Sequence, residues 1–222
     1  MNIVVELNHP KHYHQFKEVV RLLRNNGHTV HWVARDKDVV LSLLKENHEN
    51  YQVFGVHKNN LLLKALVLFA IIKSYNQILK VISPDIIVSK ASLYGVLLAK
   101  YRNCKSIIFP DSEVVTLTNK IVAPLADRIV TPQNFKLDFG KKHFRIAGFF
   151  ENCYLHPDVI VDSSKTLNEL NLRMPYAILR FIGWSANHDV GRFGFSNELK
   201  IKLVSYLLKK NINVYISSEI EL

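Results

Sequence analysis

The chain has 222 residues, 48% of them hydrophobic, with a formal net charge of +10 at pH 7. This composition excludes intrinsic disorder as the main state, and the length exceeds the roughly 100–150 residues of a typical domain. Cys104 and Cys153 fit no disulfide framework and no CxxC metal spacing, which indicates a reducing compartment. No signal peptide is recognisable, and the longest apolar run, 65–72, is far shorter than the roughly 20 residues that span a bilayer. We therefore expect a cytoplasmic protein.

The positive charge is concentrated between Glu49 and Asp111. In that segment Asp85 is the only acid, against eight Lys and Arg residues. Such a region attracts phosphate groups, unless it is simply a solvated basic face. Its basic residues alternate with aliphatic side chains rather than with aromatic ones, so we expect no nucleic-acid partner.

The chain opens with a strand, a polar turn and a helix. The apolar run 3–7 predicts a buried strand, and the helical pattern that begins at Phe16 ends at Gly27. The turn between them carries His9, His12 and His14. In α/β proteins the turn after the first strand is a common ligand site.

Strands and helices then alternate regularly. The predicted strands are 3–7, 29–34, 51–54, 85–89, 106–109 and 128–131. This alternation predicts the α/β class, with a mostly parallel sheet and right-handed crossovers. We expect a first domain over residues 1–140, a polar and proline-bearing linker over 141–174, and a fresh βαβ unit over 175–222. One βαβ unit cannot bury both faces of its sheet, so the second domain is expected to be truncated.

Several motifs together resemble a family of uncharacterised archaeal and bacterial proteins. They are Val5 to Lys17, Ala34-Arg35-Asp36-Lys37, Pro84-Asp85, Asn119-Lys120, Ala126 to Pro132, Gly148, Tyr154-Leu155-His156-Pro157 and Leu179-Arg180-Phe181-x-x-Trp184-x-Ala186-x-His188-Asp189-x-Gly191. That family belongs to the GT-B glycosyltransferase and UDP-N-acetylglucosamine 2-epimerase superfamily. The resemblance covers essentially the whole chain. It implies two Rossmann-like domains, the first binding an acceptor and the second a nucleotide sugar, and it implies that this truncated chain is inactive alone.

The resemblance also implies where a base would lie in the first domain. Inverting glycosyl transfer needs a base for the acceptor hydroxyl, and His12 or His14 could provide a near-neutral imidazole. Asp111 and Glu113, after a later parallel strand, are the rival candidates. Helix capping or ordinary surface exposure is the alternative for His12 and His14, and capping of the following helix is the alternative for Asp111 and Glu113.

The remaining residues of the first turn are placed on the substrate-binding side. His9, before Pro10, is expected to shape the turn, with Lys11 beside it. A metal site of His9, His12 and His14 would lack a carboxylate at tight spacing, so no metal is expected. No other cofactor is expected, and the nucleotide sugar is a co-substrate.

In the second domain, the resemblance places substrate contacts in the loop after the first strand. His188, Asp189 and Gly191 lie where diphosphates meet backbone N–H groups. Trp184 either stacks on a sugar ring or simply packs against the protein.

Glycosyl transfer in surface polysaccharide or glycolipid synthesis is the favoured function, with a glycan or lipid-linked acceptor. A UDP-N-acetylglucosamine 2-epimerase-like isomerase is the alternative. The epimerases have an acid after the strand that ends near Val88, whereas this chain reads Ser89-Lys90-Ala91-Ser92. Their Arg-Pro-Glu turn is also replaced, by the histidine-rich turn. Both departures favour the transferase.

A non-catalytic, peripheral membrane-binding module is the third hypothesis. The segment 61–72 is apolar nearly all round, and basic residues flank it. Leu61, Lys64, Lys73 and Lys80 could form an interfacial helix on the anionic inner face of a membrane. A buried core helix is the alternative. Membrane attachment would also suit a transferase with a lipid-linked acceptor.

Overall fold

The computed structural model of the protein describes residues 1–36, 39–56, 64–113, 115, 118–157, 163–182 and 194–218. The chain divides into two compact units, Met1–Val159 and Ile160–Leu222.

A seven-stranded sheet forms the centre of the first unit. Its strands are β1 (Asn2–Leu7), β2 (Thr29–Asp36), β3 (Tyr51–Val56), β4 (Ile86–Ser89), β5 (Lys105–Ile108), β6 (Arg128–Pro132) and β7 (His143–Ile146). They lie in the order β3-β2-β1-β4-β5-β6-β7, and every neighbouring pair is parallel. The strand order reverses between β1 and β4, and in open sheets of this kind the crevice at the carboxyl ends of two such strands is the usual ligand site. The predicted α/β class with a Rossmann-like parallel sheet is confirmed.

Helices cover both faces of this sheet. They are α1 (Pro10–Asn25), α2 (Val40–Glu46), α3 (Lys64–Ile82), α4 (Leu93–Tyr101), the short α5 (Ala123–Leu125), which follows a π-helical turn at Thr118–Val122, and α6 (Asn152–Leu155). Side chains alternate along β1 between the two faces. Ile3 and Val5 therefore pack in the core beneath α1 and α2, while Val4 packs beneath α3 and α4.

The range predicted as a linker is not uniformly irregular. It contains β7, which pairs with β6 and extends the first sheet, as well as α6 and α7 (Ser163–Glu169). The division at residues 140 and 174 stays a prediction.

The second unit contains one βαβ element. β8 (Tyr176–Phe181) and β9 (Asn213–Ser218) pair in parallel, and α8 (Asn197–Lys209) lies between them in the chain. The Oγ of Ser196 accepts a hydrogen bond from the N–H of Leu199 at 3.3 Å and so caps α8. This is the predicted start of a second Rossmann-like domain.

No helix in the described ranges is long and apolar enough to cross a membrane.

Candidate active site at the switch point of the sheet

His9 is the N-terminal cap of α1. Its Nδ1 accepts a hydrogen bond from the backbone N–H of Lys11 at 3.1 Å. Pro10 follows at the first helical position, where the N–H that proline lacks would have no partner within the helix. His9 therefore fixes where the helix begins, and contact between His9 and a substrate stays a prediction.

His12 is held by the strand that precedes it. The backbone N–H of Asn8 donates to its Nδ1 at 3.2 Å, and the amide of Asn8 donates to Oε1 of Glu6 at 2.6 Å. A backbone N–H can only donate, so Nδ1 carries no proton while this bond exists. The neutral imidazole then has its proton on Nε2, which makes Nε2 a donor rather than a proton acceptor.

Glu6 is a fully buried carboxyl group inside β1, on the side of the sheet covered by α3 and α4. Burial raises its pKa, and interactions with Ser92, Asn8 and Tyr75 offset only part of this effect. Gly95 of α4 gives the carboxyl its space, because a Cβ at that position would lie 2.7 Å from Glu6 Oε2. The candidate site thus rests on a buried acid that favours its protonated form.

Four charged side chains from different elements meet at the carboxyl edge of the sheet. Nζ of Lys11, in α1, lies 3.2 Å from Oε1 of Glu151 and 3.8 Å from Oδ2 of Asp111. Lys90, directly after β4, forms an ion pair with Asp111, which follows β5. Its Nζ also lies 4.0 Å from the centroid of the Phe150 ring, a cation–π contact. We call Lys11, Lys90, Asp111 and Glu151 the charge cluster.

The two lysines of the charge cluster respond in opposite ways to their surroundings. The side chain of Lys90 is only 2% exposed, and burial lowers its pKa despite the neighbouring Asp111. The side chain of Lys11 is 36% exposed, and although burial alone would lower its pKa, Asp111 and Glu151 raise it. Desolvation therefore dominates at Lys90 and charge pairing dominates at Lys11.

His14 lies about one helical turn after Lys11 in α1, next to Tyr154 of α6. Their ring centroids are 6.2 Å apart. Burial lowers the pKa of His14, and the positive charge of Lys17 lowers it further. Its imidazole is therefore neutral at pH 7, the form in which a histidine can accept a proton.

Glu113 forms a different set of contacts. Its Oε1 accepts the backbone N–H of Lys136 at 3.0 Å, and its carbonyl oxygen accepts the side-chain amide of Asn119 at 2.6 Å. The hydrogen bond from Lys136 lowers the pKa of Glu113. A carboxylate held in its charged form by a backbone donor is a weak base, so the geometry favours a structural role.

The structure thus brings some of the predicted residues together. Lys11 and Asp111 meet in the charge cluster, and His12 and His14 follow Lys11 in the first turns of α1. Trp184, His188, Asp189 and Gly191 lie outside the described residues. Within the part of the chain that the structure describes, no three His, Cys, Asp or Glu side chains converge as metal ligands would.

Sequence reasoning missed Glu6, Lys90, Glu151 and Tyr154 as members of this site. Glu6 had a signal, since it is an acid within an apolar run predicted to be buried. Lys90 had a weaker one, as a cation directly after a predicted strand. Tyr154 belongs to one of the motifs that carry the family resemblance, but no role is expected for it from the sequence. Glu151 had no signal, because it comes from beyond β7 and reaches the cluster only through the tertiary fold.

The fold of the whole chain matches those of several enzymes of known structure. MurG of Acinetobacter baumannii aligns over 100% of this chain and 67% of its own, at 15% identity and a TM-score of 0.57. The UDP-GlcNAc 2-epimerase of Neisseria meningitidis, solved bound to UDP-GlcNAc, aligns over 100% of this chain and 73% of its own, at 12% identity and a TM-score of 0.64. The spinosyn forosaminyltransferase SpnP aligns over 100% of this chain and 68% of its own, at 12% identity and a TM-score of 0.56. The fold is therefore α/β of the GT-B type, and the chain spans about two thirds of the length of such proteins.

The family within this class is also defined. The chain belongs to the family described as protein of unknown function DUF354, whose model matches residues 1–156. That range includes β1 to β7, the histidine-rich turn and the whole charge cluster. No curated protein matches the sequence.

Proposed function

We propose that this protein takes part in nucleotide-sugar-dependent glycosyl transfer, in the synthesis of a surface polysaccharide or glycolipid in the cytoplasm. The observation that carries the proposal is the GT-B-type fold shared with sugar-nucleotide enzymes, in which His14 lies half-buried beside Tyr154 on the helix after β1. Burial lowers the pKa of His14. The first unit would bind the acceptor, and the second unit would bind the donor.

In this proposal His14 is the general base. Its imidazole takes the proton of an acceptor hydroxyl, and the hydroxyl oxygen attacks the anomeric carbon of the donor. The bond from that carbon to the nucleoside diphosphate breaks, so the sugar is transferred with inversion. The diphosphate leaves with the electron pair of the broken bond.

The other candidates suit supporting roles. His12 presents an Nε2–H, which fits a donor to a substrate oxygen better than a base. Asp111 is paired with Lys90 and with Lys11, so its carboxylate is engaged in two ion pairs. Glu113 is occupied by the N–H of Lys136.

The donor side of the proposal rests on the loop after β8. Trp184 would stack on the sugar, and His188, Asp189 and Gly191 would hold the diphosphate. The charge cluster would not contact the donor, and no metal ion or other cofactor is required.

Epimerisation of a sugar nucleotide is the second candidate. Its support is the structural likeness, because the TM-score to the N. meningitidis epimerase, 0.64, exceeds those to MurG and SpnP, 0.57 and 0.56. The two functions differ in their products. An epimerase converts a UDP-sugar into its C2 epimer without an acceptor, whereas a transferase releases a nucleoside diphosphate.

The test uses the protein in the form that its natural host produces. UDP-, GDP-, CMP- and dTDP-sugars are titrated by calorimetry, and the donor that binds is assayed for diphosphate release with cell-envelope glycolipids as acceptors. We expect His14→Ala to lower kcat/KM by roughly 10²–10⁴-fold, the usual effect of losing a general base, and to leave donor affinity unchanged. His12→Ala should have a smaller effect.

The pH dependence follows from the direction of the pKa shift. Because the pKa of His14 lies below its ordinary value of 6.5, activity should be close to its maximum at pH 7. It should decrease as the pH is lowered through the pKa of His14. The proposal fails if no nucleotide sugar binds, or if His14→Ala keeps the parental rate. Formation of a C2 epimer without an acceptor would establish the second candidate instead.

A further inference from the structure

α3 and α4 form an apolar groove on the outer surface of the first unit. α3 buries Ile71, Tyr75 and Leu79 against the sheet, one residue per helical turn, so its opposite side faces outward. The groove between the two helices has a volume of about 390 Å³, and its apolar lining includes Ile72 and Leu98.

Large apolar side chains stand exposed at the rim of this groove. Phe69 of α3 is 70% exposed, and Tyr101 of α4 is 75% exposed. Leu97 lies between them on α4 and is 38% exposed. Apolar residues that are scattered singly over a protein surface are common and need no explanation. Apolar side chains that are exposed together along one groove indicate an interaction site.

The surface around the groove is basic. Lys73 lines the groove itself, Lys80 is exposed two turns further along α3, and Lys100 is exposed on α4. No acid occurs within α3 or α4, and Asp85, the one acid between residues 50 and 110, accepts the backbone N–H of Asn2 at 2.7 Å. Its carboxylate is therefore bound at the start of β1, away from the carboxyl edge of the sheet.

The two helices are tied together beneath this surface. Arg102 donates from Nε to the side-chain oxygen of Asn76 at 2.7 Å, and from a terminal nitrogen to the backbone oxygen of Asn76 at 2.9 Å. These hydrogen bonds join the end of α4 to the middle of α3. The groove is thus a formed feature of the folded unit.

We propose that the face formed by Phe69, Lys73, Lys80, Leu97 and Tyr101 docks on the surface of an anionic lipid bilayer. Exposed aromatic and aliphatic side chains enter the interface between headgroups and acyl chains, and the lysines beside them attract anionic headgroups. An anionic surface is the partner that electrostatic complementarity favours. A face that carries lysines and no carboxylate would be repelled by a basic surface. The helices lie along the membrane surface.

The docking surface differs from the one expected from sequence. Leu61 lies outside the described residues, and so does the side chain of Lys64. Lys73 remains at the centre, and the structure adds α4, which no pattern within α3 could indicate. A buried core helix is excluded for the described part of α3, because only one side of the helix is covered. This inference does not depend on the proposed function.

Vesicle flotation of the complete 222-residue chain tests the inference. We expect binding to vesicles rich in phosphatidylglycerol, weak binding to pure phosphatidylcholine, and loss of binding at high salt. Lys73→Glu with Lys80→Glu should lower the partition coefficient about tenfold or more, because each reversal removes an attraction and adds a repulsion. Phe69→Ser with Tyr101→Ser should also lower it severalfold.

A matched control reverses exposed lysines elsewhere. Lys45→Glu with Lys209→Glu changes the net charge equally, on α2 and on α8, and should leave at least half of the binding. Circular dichroism and thermal melting check that every variant remains folded. Equal losses in the two charge-reversed variants, or unchanged binding in either groove variant, would overturn the inference. Concentration-dependent dimerisation that Phe69→Ser abolishes would assign the groove to a second copy of the chain instead.

Discussion

Glu6 links the buried interior of the first unit to the candidate site. Its carboxyl holds the amide of Asn8, and the backbone N–H of Asn8 in turn sets the proton position of His12. Each step is a single hydrogen bond between residues no more than four positions apart. A buried acid within β1 therefore helps to orient an imidazole that begins the next helix.

The stability of the protein should report the protonation of Glu6. Burial raises the pKa of Glu6 above its ordinary value of 4.5, so the folded protein binds this proton more tightly than the unfolded chain. The free energy of unfolding contributed by Glu6 therefore falls as pH rises from about 4.5 to the raised pKa, by about 1.4 kcal/mol for each pH unit between those two values. Glu6→Gln has the same shape and no proton to lose, so it should gain stability relative to the parent across that window.

Urea denaturation of both proteins between about pH 4 and pH 8 measures this difference. Glu46→Gln is the control, because its side chain is exposed on α2 in the folded protein as it is in the unfolded chain. Stability curves for Glu6→Gln and the parent that stay parallel over the whole range would show that Glu6 keeps its charge when buried.

At the scale of elements, the charge cluster depends on strand order. β4 and β5 are neighbours, with Ser89 opposite Ile108, so the residues that follow the two strands emerge at the same edge of the sheet. From the sequence, Asp111 is expected to follow a parallel strand. Lys90 stands out there only as a departure from the epimerase pattern. Hydrophobic periodicity places each strand but not its neighbour, so the pairing of these two residues could not be predicted from it.

Asp111→Asn should destabilise the first unit by about 1–3 kcal/mol, since it leaves the buried Lys90 without its carboxylate. We expect a loss of stability of about 1 kcal/mol rather than about 3 kcal/mol, because Asp111 is itself 38% exposed and because Lys90 can release its proton. Adding Lys90→Met to Asp111→Asn should recover most of the loss, because the buried positive charge is then gone. Chemical denaturation of the parent, the two single variants and the double variant measures the coupling energy.

The exposed ion pair of Glu18 and Arg21 on α1 provides the control. Glu18→Gln should cost no more than about 0.5 kcal/mol, as is usual for such pairs. A double variant as unstable as Asp111→Asn alone would mean that the loss comes from other contacts of Asp111, such as the one with Lys11.

At the scale of the whole molecule, the alternation of strands and helices was enough to predict the architecture. The βαβ unit predicted over 175–222 contains β8, α8 and β9, and the six strands expected in the first domain are all present. These elements are specified by local patterns of apolar residues and turn residues. The contacts of the candidate site are less local. Lys11 and Glu151 are 140 positions apart in the chain, and their charged atoms lie 3.2 Å apart.

The two units should differ in their ability to fold alone. The first buries large side chains such as Trp32 and Tyr75 completely, on both faces of its sheet. Within its described residues the second has two strands, and it leaves Ile178, Ile201 and Tyr206 62%, 67% and 58% exposed. A two-stranded sheet with the helices α7 and α8 lacks the buried apolar area needed to offset the entropy of ordering the chain.

We therefore expect residues 1–159 to unfold cooperatively on heating, with well-dispersed amide resonances, and residues 160–222 to show neither property. Circular dichroism melting and two-dimensional NMR of the two fragments, beside the complete chain, provide the measurement. Cooperative melting of the 160–222 fragment would mean that its exposed apolar side chains find partners within the fragment or in a second copy of it. Dilution separates these two explanations, because only self-association makes the melting temperature depend on concentration.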